Sequence, residues 1–158
     1  MSAFVFFGVS AYDDRMIQRG RAQNGAIMFI TMNTWHRRQV FIHPNFATKA
    51  IDYLYGLQKK HSFVIYGFVV MPDHIHLLLK IQAPYTVDEF THDYRTGLSF
   101  ELGTGAFFEE YVDLRMPEKP KDKLTYMLDK PFKAELANTP KDYQWSSAAG
   151  TWKVTPIA

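Results

Sequence analysis

Two histidines separated by one residue, His74 and His76, are the side chains of this sequence best suited to chemistry. They follow the turn-forming pair Pro72-Asp73 and lie in an apolar run that predicts a strand over 74–81. Because side chains alternate along a strand, both imidazoles face one side while Ile75 faces the core. Two such imidazoles can bind one cation. The alternative is a pair of surface histidines on an edge strand, but unpaired polar groups beside an apolar strand pair are costly, which favours the metal site.

Tyr126 is the second candidate, in a helix that we expect to begin at Lys119-Pro120 and to end at Pro131. On a helical wheel Tyr126 points away from the apolar stripe, whereas a core tyrosine would share it. The side chain is therefore either an exposed tyrosine lying over a neighbour or a functional group. The apolar stripe consists of Leu124, Met127, Leu128 and Pro131.

The composition excludes several classes of protein. A chain of 158 residues with 47% hydrophobic and 22% charged residues is typical of one globular domain, which we place over 1–158, with a poorly defined N-terminal segment over 1–24. Cysteine is absent, which excludes disulfides, thiolate zinc sites and a cysteine nucleophile. No apolar run reaches membrane-spanning length, and the first one lacks a preceding basic region. We therefore expect a cytoplasmic protein without a membrane partner.

The charge balance is nearly neutral, with 18 basic and 16 acidic residues and a formal net charge of +2. This is too weak to indicate a dedicated duplex-DNA binder. Short basic clusters are either solvated surface or phosphate contacts. Aromatic residues make up 16% of the chain, and a few exposed rings beside such clusters would suit single-stranded nucleic acid. The candidate phosphate contacts are His36, Arg37, Arg38, Lys119, Lys121, Lys123 and Lys130.

The pattern of apolar residues, prolines and glycines predicts six elements before the tyrosine helix. Their order is strand, helix, two adjacent strands, helix, strand. This is the split β-α-β-β-α-β arrangement of ferredoxin-like and RRM-like α+β folds, an antiparallel sheet with two helices on one face and the other face free. The helix that carries Tyr126 follows at the C-terminal end. The predicted elements cover 26–34, 45–60, 63–70, 74–81, 86–102 and 106–115.

A family resemblance rests on three segments. The segment 66–79, Tyr-Gly-Phe-Val-Val-Met-Pro-Asp-His-Ile-His-Leu-Leu-Leu, closely resembles the metal-binding segment of the single-tyrosine HUH transposases. These are the single-strand insertion-sequence transposases and the REP-associated tyrosine transposases. Residues 126–136 resemble the family's tyrosine helix, and Trp145-Ser146-Ser147 resembles an element of the REP-associated branch. The resemblance covers nearly the whole chain from Ala26.

The resemblance implies a metal-assisted enzyme that cuts and rejoins single-stranded DNA. His74 and His76 would bind Mn²⁺ or Mg²⁺, with histidine ligation favouring Mn²⁺ and with Zn²⁺ as a further candidate. Tyr126 would attack the phosphate and form a 5′-phosphotyrosine. Lys130 stands where the family usually has an amide ligand, and a charged lysine has no lone pair to offer. Asp129 or a water molecule would then complete the metal site.

Three functions remain open on this basis. The first is an active single-strand DNA transposase whose partner is single-stranded or hairpin DNA. The second is a domesticated module that binds a DNA or RNA hairpin without cutting it, which Lys130 favours. The third is a small metal-dependent hydrolase, which would need a carboxylate-rich pocket. Both a monomer and a homodimer are compatible with the resemblance.

Overall fold

Four antiparallel strands form one sheet with the order β2-β3-β1-β4. The computed structural model describes residues 24–103 and 107–158. The split β-α-β-β-α-β topology is confirmed, and β3 and β1 occupy the centre of the sheet. Ala106, the expected start of the fourth strand, and nearly all of the segment 1–24 lie outside the described residues. The strands are β1 (Ile27–Thr34), β2 (Phe63–Met71), β3 (His74–Ile81) and β4 (Phe108–Arg115).

Two long helices, α1 (Pro44–Lys60) and α2 (Val87–Leu102), connect the strands. A capping box starts α2, in which the Glu89 amide donates to the Thr86 side chain and the Thr86 amide donates to the Glu89 carboxylate. Gly103 ends this helix in the left-handed region with φ 68°. Within the described residues, no helix combines the length and the apolar character needed to cross a membrane.

One face of the sheet packs against α1 and α2 and forms the main hydrophobic core. Alternation along β3 places Ile75, Leu77 and Leu79 on this face, as the sequence predicts, and each is at most 1% exposed. Met28 and Ile30 of β1 lie beside them and are fully buried. This layer holds the two central strands against the helices, and their opposite face carries the two histidines.

The prediction that the opposite face is free is wrong. A third helix, α3 (Pro120–Leu128), packs on it together with the C-terminal segment and is followed by the one-turn helix α4 (Lys130–Lys133). The apolar stripe of α3 must be buried against something, and the sheet offers apolar side chains on this face. The resulting second cluster contains Phe29, Tyr66, Val69, Met71, Leu78, Met127 and Tyr143.

Gly67 lets α3 approach the sheet closely. A Cβ atom at this position would lie 2.5 Å from Leu124 Cδ1 and 3.0 Å from Met127 Cε, so a larger residue would have to displace the ends of these two side chains of α3. Met127 is fully buried while Tyr126 is 46% exposed. The predicted orientation of the tyrosine, away from the apolar stripe, is thus confirmed.

The C-terminal segment is fixed to the outer edge of β2. The Val70 amide donates to the Trp145 carbonyl at 2.8 Å, and the Tyr143 hydroxyl donates to the Val70 carbonyl at 2.7 Å. The Ser147 hydroxyl accepts from the Phe68 amide at 3.1 Å. These bonds satisfy the edge of β2 that would otherwise be open. The Trp-Ser-Ser element therefore holds the C-terminal segment at the edge of β2, beside the second face.

Candidate functional site

His74 and His76 lie on the central strand β3 and share the face that carries α3. His76 is paired with Thr31 of β1, and His74 is paired with Asn33. The two imidazole centroids are 4.7 Å apart. Ile75, between them, is buried on the opposite face. The expectation that both rings point to one side of a central strand is therefore met.

Asp73 orients the ring of His74. The Nδ1 atom of His74 is 2.7 Å from Asp73 Oδ1, and the Arg37 Nε–H donates to Asp73 Oδ2 at 3.1 Å. Burial alone would raise the pKa of Asp73, but the hydrogen bonds from His74 and Arg37 lower it overall. Burial also lowers the pKa of His74 from its usual value. A neutral His74 that donates from Nδ1 to a carboxylate keeps its lone pair on Nε2.

His76 is 7% exposed and its Nε2 atom has no hydrogen-bond partner among the described residues. Its Nδ1 atom is 2.9 Å from the Thr31 hydroxyl, and its ring stacks on Phe29 with 5.1 Å between centroids. Burial, reinforced by the charges of His74 and Lys130, lowers the pKa of His76 to about 3. At neutral pH the ring is therefore uncharged. A buried imidazole nitrogen without a partner is a natural metal ligand.

The free ring nitrogens of His74 and His76 have the chemistry of ligands for a divalent cation. No group of three or more His, Cys, Asp or Glu side chains suited to a metal occurs in the part of the chain that the structure describes. Asp129, the expected third ligand, instead lines a surface pocket with Thr139 and Lys141. The structure thus does not bring Asp129 to the histidines. The remaining positions around a cation would be left to water or to phosphate oxygens.

Two lysines bracket the ring of Tyr126. The Lys130 Nζ atom lies 4.5 Å from the ring centroid and the Lys123 Nζ atom lies 4.8 Å from it. Lys123 Nζ is also 4.9 Å from the centroid of Phe29, the ring that stacks on His76. Hydrogen bonding by Lys130, together with its charge, lowers the pKa of Tyr126. A continuous series of contacts therefore joins the tyrosine to the histidine pair.

The candidate phosphate contacts divide into two groups around this site. Arg37 lies in the loop after β1 and reaches Asp73, and its neighbours His36 and Arg38 are exposed in the same loop. Lys119 lines a surface pocket with Lys123 and Tyr126. Lys121 is exposed on the first turn of α3. The basic residues that flank the tyrosine and the histidines thus come from two segments far apart in the sequence.

The sequence profile described as "Transposase IS200 like" matches residues 24–106, just over half of the chain. The chain belongs to this family. The matched region contains His74 and His76 and ends before Tyr126. The expected relationship to single-tyrosine transposases is therefore confirmed at the level of the family, while the roles of the individual site residues stay predictions.

Among solved structures, this chain is similar to a REP-associated tyrosine transposase bound to a REP hairpin. The TM-score is 0.69 at 16% sequence identity, over 85% of this chain and 87% of that one. At this identity the likeness establishes the α+β fold. A search of curated proteins finds no match.

Sequence reasoning missed the side chains that support the site. Asp73 and Thr31 bind the two imidazoles, and Phe29 lies between His76 and Lys123. The position of Asp73 directly before His74 is a signal that could have been used, because carboxylates commonly orient metal-binding histidines. The partners from β1 depend on strand register, which the sequence pattern does not provide.

Proposed function

We propose that this IS200-like transposase cuts and rejoins single-stranded DNA through a covalent link between Tyr126 and a 5′ phosphate. The observation that carries the proposal is the location of Tyr126 on the same face of the sheet as His74 and His76. Lys123 and Phe29 connect the tyrosine to the histidines through ring and cation contacts. A nucleophile, a cation site and ammonium groups within one surface are what phosphoryl transfer needs.

In the proposed step the Tyr126 oxygen attacks phosphorus. The new O–P bond forms as the bond between phosphorus and the 3′ oxygen breaks, the phenol proton passes to solvent, and the released 3′ oxygen takes up a proton. The products are a 5′-phosphotyrosine and a free 3′-hydroxyl. Because the phosphotyrosine keeps the bond energy of the phosphodiester, attack by another 3′-hydroxyl reverses the step and joins strands without ATP.

His74 and His76 would hold Mn²⁺ or Mg²⁺ through their Nε2 atoms, with imidazole ligands favouring Mn²⁺. Such a cation, when bound, supplies positive charge to the phosphate under attack. The arrangement of Asp73 on His74 and of Thr31 on His76 supports this assignment, because it fixes both rings through Nδ1.

Lys130 has a role beside the nucleophile in this proposal. An ammonium group near the phenol favours the ionised, more nucleophilic form of Tyr126. Together with Lys123 it also offers positive charge to the pentacoordinate phosphorus of the transition state. Its distance of 4.5 Å from the ring centroid supports this role.

The proposed substrate is single-stranded or hairpin DNA. The similar transposase was solved with a REP hairpin, and the basic residues on two sides of this site supply candidate phosphate contacts. Binding should weaken steeply as salt rises, because phosphate contacts release counterions.

The decisive experiment measures a covalent adduct. Hairpins with single-stranded extensions, taken from sequences flanking the gene, are incubated with the protein and Mn²⁺ and resolved on denaturing gels. Tyr126→Phe keeps the ring but loses the attacking oxygen, so the adduct should disappear while hairpin affinity stays within about twofold. Tyr111→Phe is the matched control, since Tyr111 is an exposed tyrosine on β4, and it should form the adduct normally.

An adduct formed by Tyr126→Phe would refute the proposed nucleophile. Tight hairpin binding without an adduct from the wild-type protein would instead indicate the binding module that does not cut. Either result leaves the assignment to the transposase family unchanged.

A second experiment tests Lys130. Lys130→Asn replaces the ammonium with an amide oxygen that can bind a metal. The variant therefore distinguishes a lysine that assists Tyr126 from one that merely takes the place of a metal ligand. If Lys130 assists Tyr126, the cleavage rate should fall about ten- to a hundredfold and the pH optimum should rise. If the lysine only displaces a ligand, Lys130→Asn should accelerate cleavage and tighten Mn²⁺ binding. Lys60→Asn removes one exposed charge from the last turn of α1, on the opposite face of the sheet, and serves as the control.

A further inference from the structure

An exposed aromatic pair, Trp35 and His36, lies on the loop that follows β1. The Trp35 ring is 45% exposed, and His36 packs against it edge-on with 4.6 Å between centroids. Phe41, later in the same loop, is 1% exposed and anchors the loop in the core. The loop therefore has its own inward anchor, and the Trp35 ring is largely presented to solvent rather than used for packing.

The backbone that presents this pair is held by hydrogen bonds. The Trp35 amide donates to the Phe107 carbonyl at 2.9 Å, and the Phe41 amide donates to the Pro72 carbonyl at 3.0 Å. The Thr34 hydroxyl is 2.7 Å from the Arg38 carbonyl and 3.0 Å from the Asp73 carbonyl. A ligand that stacks on Trp35 would therefore meet a surface already fixed in position, which lowers the entropic cost of binding.

Two consecutive residues of this loop have left-handed backbone conformations. His36 has φ 56° and Arg37 has φ 53°, a region that non-glycine residues rarely adopt. The resulting turn lets Arg37 reach Asp73, the carboxylate that orients His74, while His36 stays with Trp35. Such strained conformations concentrate at functional sites. The aromatic pair and the histidine site are thus joined through one short turn.

The charged residues of the segment 35–42 are basic, and one of them, Arg37, is paired with Asp73. Arg37 and Arg38 are exposed beside the aromatic pair, and the segment 35–42 contains no acidic residue. An aromatic face next to guanidinium groups matches the chemistry of an unpaired nucleotide, in which a base stacks and its phosphate binds a cation.

We propose that Trp35, supported by His36, is a stacking platform for an unpaired base of single-stranded DNA next to the phosphate at the His74 and His76 site, with Arg38 binding a neighbouring phosphate. The inference rests on the proposed function for the identity of the ligand. It adds a subsite that recognises the single-stranded extension rather than the hairpin stem.

The test compares two DNA probes in the Tyr126→Phe background, in which cleavage does not occur. One probe is a hairpin from the gene's flanks with a single-stranded 5′ extension, and the other is the same hairpin with a blunt end. Trp35→Ala should weaken binding of the extended probe about 5- to 150-fold and leave the blunt probe within about twofold. Trp35→Phe keeps a stacking face and should retain most of the affinity. Phe100→Ala removes another exposed ring, on α2, and should change neither affinity.

Tryptophan fluorescence gives a direct readout of the platform. The extended probe should quench the emission of the protein with Trp35 more strongly than that of Trp35→Phe, because a stacked base quenches an indole. An unchanged melting temperature for Trp35→Ala, measured by circular dichroism, shows that the substitution leaves the stability of the fold intact.

Three outcomes would overturn the inference: equal losses on both probes, no loss on either, or a change of oligomeric state in Trp35→Ala, which would make this surface a contact between copies. The result is independent of cleavage. If Trp35→Ala loses affinity for the extended probe only, and the wild type forms no adduct, the cleavage proposal alone is refuted. If the adduct forms normally and Trp35→Ala has no effect on binding, the stacking platform alone is refuted.

Discussion

The two faces of the sheet are built from the same strands and serve different purposes. Leu77 and Leu78 are adjacent in β3 and both are almost fully buried, yet Leu77 packs under α1 and α2 while Leu78 packs under α3. On the first face every central side chain of β3 is apolar. On the second face Leu78 is followed, toward the start of the strand, by His76 and His74.

This difference shows how stability and chemistry are separated in the molecule. The first face is sealed by two long helices and carries no side chain of the candidate site. The cover of the second face, α3, also carries Tyr126, so the helix that buries Leu78 also places the proposed nucleophile. Changes on the first face should act on stability alone, whereas changes on the second face should act on stability and cleavage together.

Leu77→Ala and Leu78→Ala test this separation with the largest expected effect. Leu77→Ala should lower the free energy of unfolding by about 3 to 5 kcal/mol, because the two-helix layer cannot collapse into the cavity. Leu78→Ala should cost about 2 to 3 kcal/mol, since α3 is short and can shift inward. Denaturant titration measures both costs.

Cleavage assays on the same two variants complete this test. Below their unfolding transitions, Leu77→Ala should cleave at the wild-type rate and Leu78→Ala should cleave more slowly. Equal cleavage rates would show that α3 does not transmit the packing of Leu78 to Tyr126.

Below neutral pH, the change of stability with pH should come mainly from His76 on the second face. In the metal-free protein the folded pKa of His76 is about 3, whereas the unfolded ring binds a proton below about 6.5. The stabilisation of the folded state linked to the neutral His76 ring is therefore fully present above pH 6.5 and is lost as the pH falls toward 3. The free energy of unfolding should change by at most about 1.4 kcal/mol per pH unit in this range. Urea denaturation at several pH values measures this slope.

His76→Gln is the control for this titration, because glutamine is polar but does not titrate. Its stability should depend less on pH between 6.5 and 4 than that of the wild type. Identical slopes for the two proteins would mean that His76 is not kept neutral by burial in the folded state.

Gly67→Ala should lower the free energy of unfolding by about 1 to 3 kcal/mol, with a clear effect on cleavage. The new methyl group would meet the side-chain ends of Leu124 and Met127, and repacking of these two residues should shift Tyr126, on the same helix, relative to the histidines. The cleavage rate should fall while Mn²⁺ affinity, measured by calorimetry, stays within about threefold.

Gly56→Ala is the matched control on the first face. Gly56 lies in α1 with open space around it, so alanine there should raise the free energy of unfolding by up to about 1 kcal/mol and leave cleavage unchanged. A slower cleavage rate for Gly56→Ala would contradict the separation of the two faces.

Local patterns in the sequence determined the elements and the direction of their side chains. The predicted strand over 74–81 matches β3, and alternation alone places His74 and His76 on one face. The capping box at Thr86 and the apolar stripe opposite Tyr126 are likewise read from residues within one element. These predictions hold because backbone periodicity and capping depend on neighbours only a few residues away.

Tertiary structure alone decided what covers the second face and which side chains meet there. Periodicity gives the face of α3 that must be buried, but not the surface that buries it, so the face expected to be free is covered. The contact of Lys123 with Phe29 and the bond from Arg37 to Asp73 join residues that are distant in sequence. Asp129, by contrast, does not form a metal-binding group with the histidines in the described part of the chain. Such contacts depend on strand register and helix docking. Both are determined by the burial of apolar surface from the whole chain, not by any single segment.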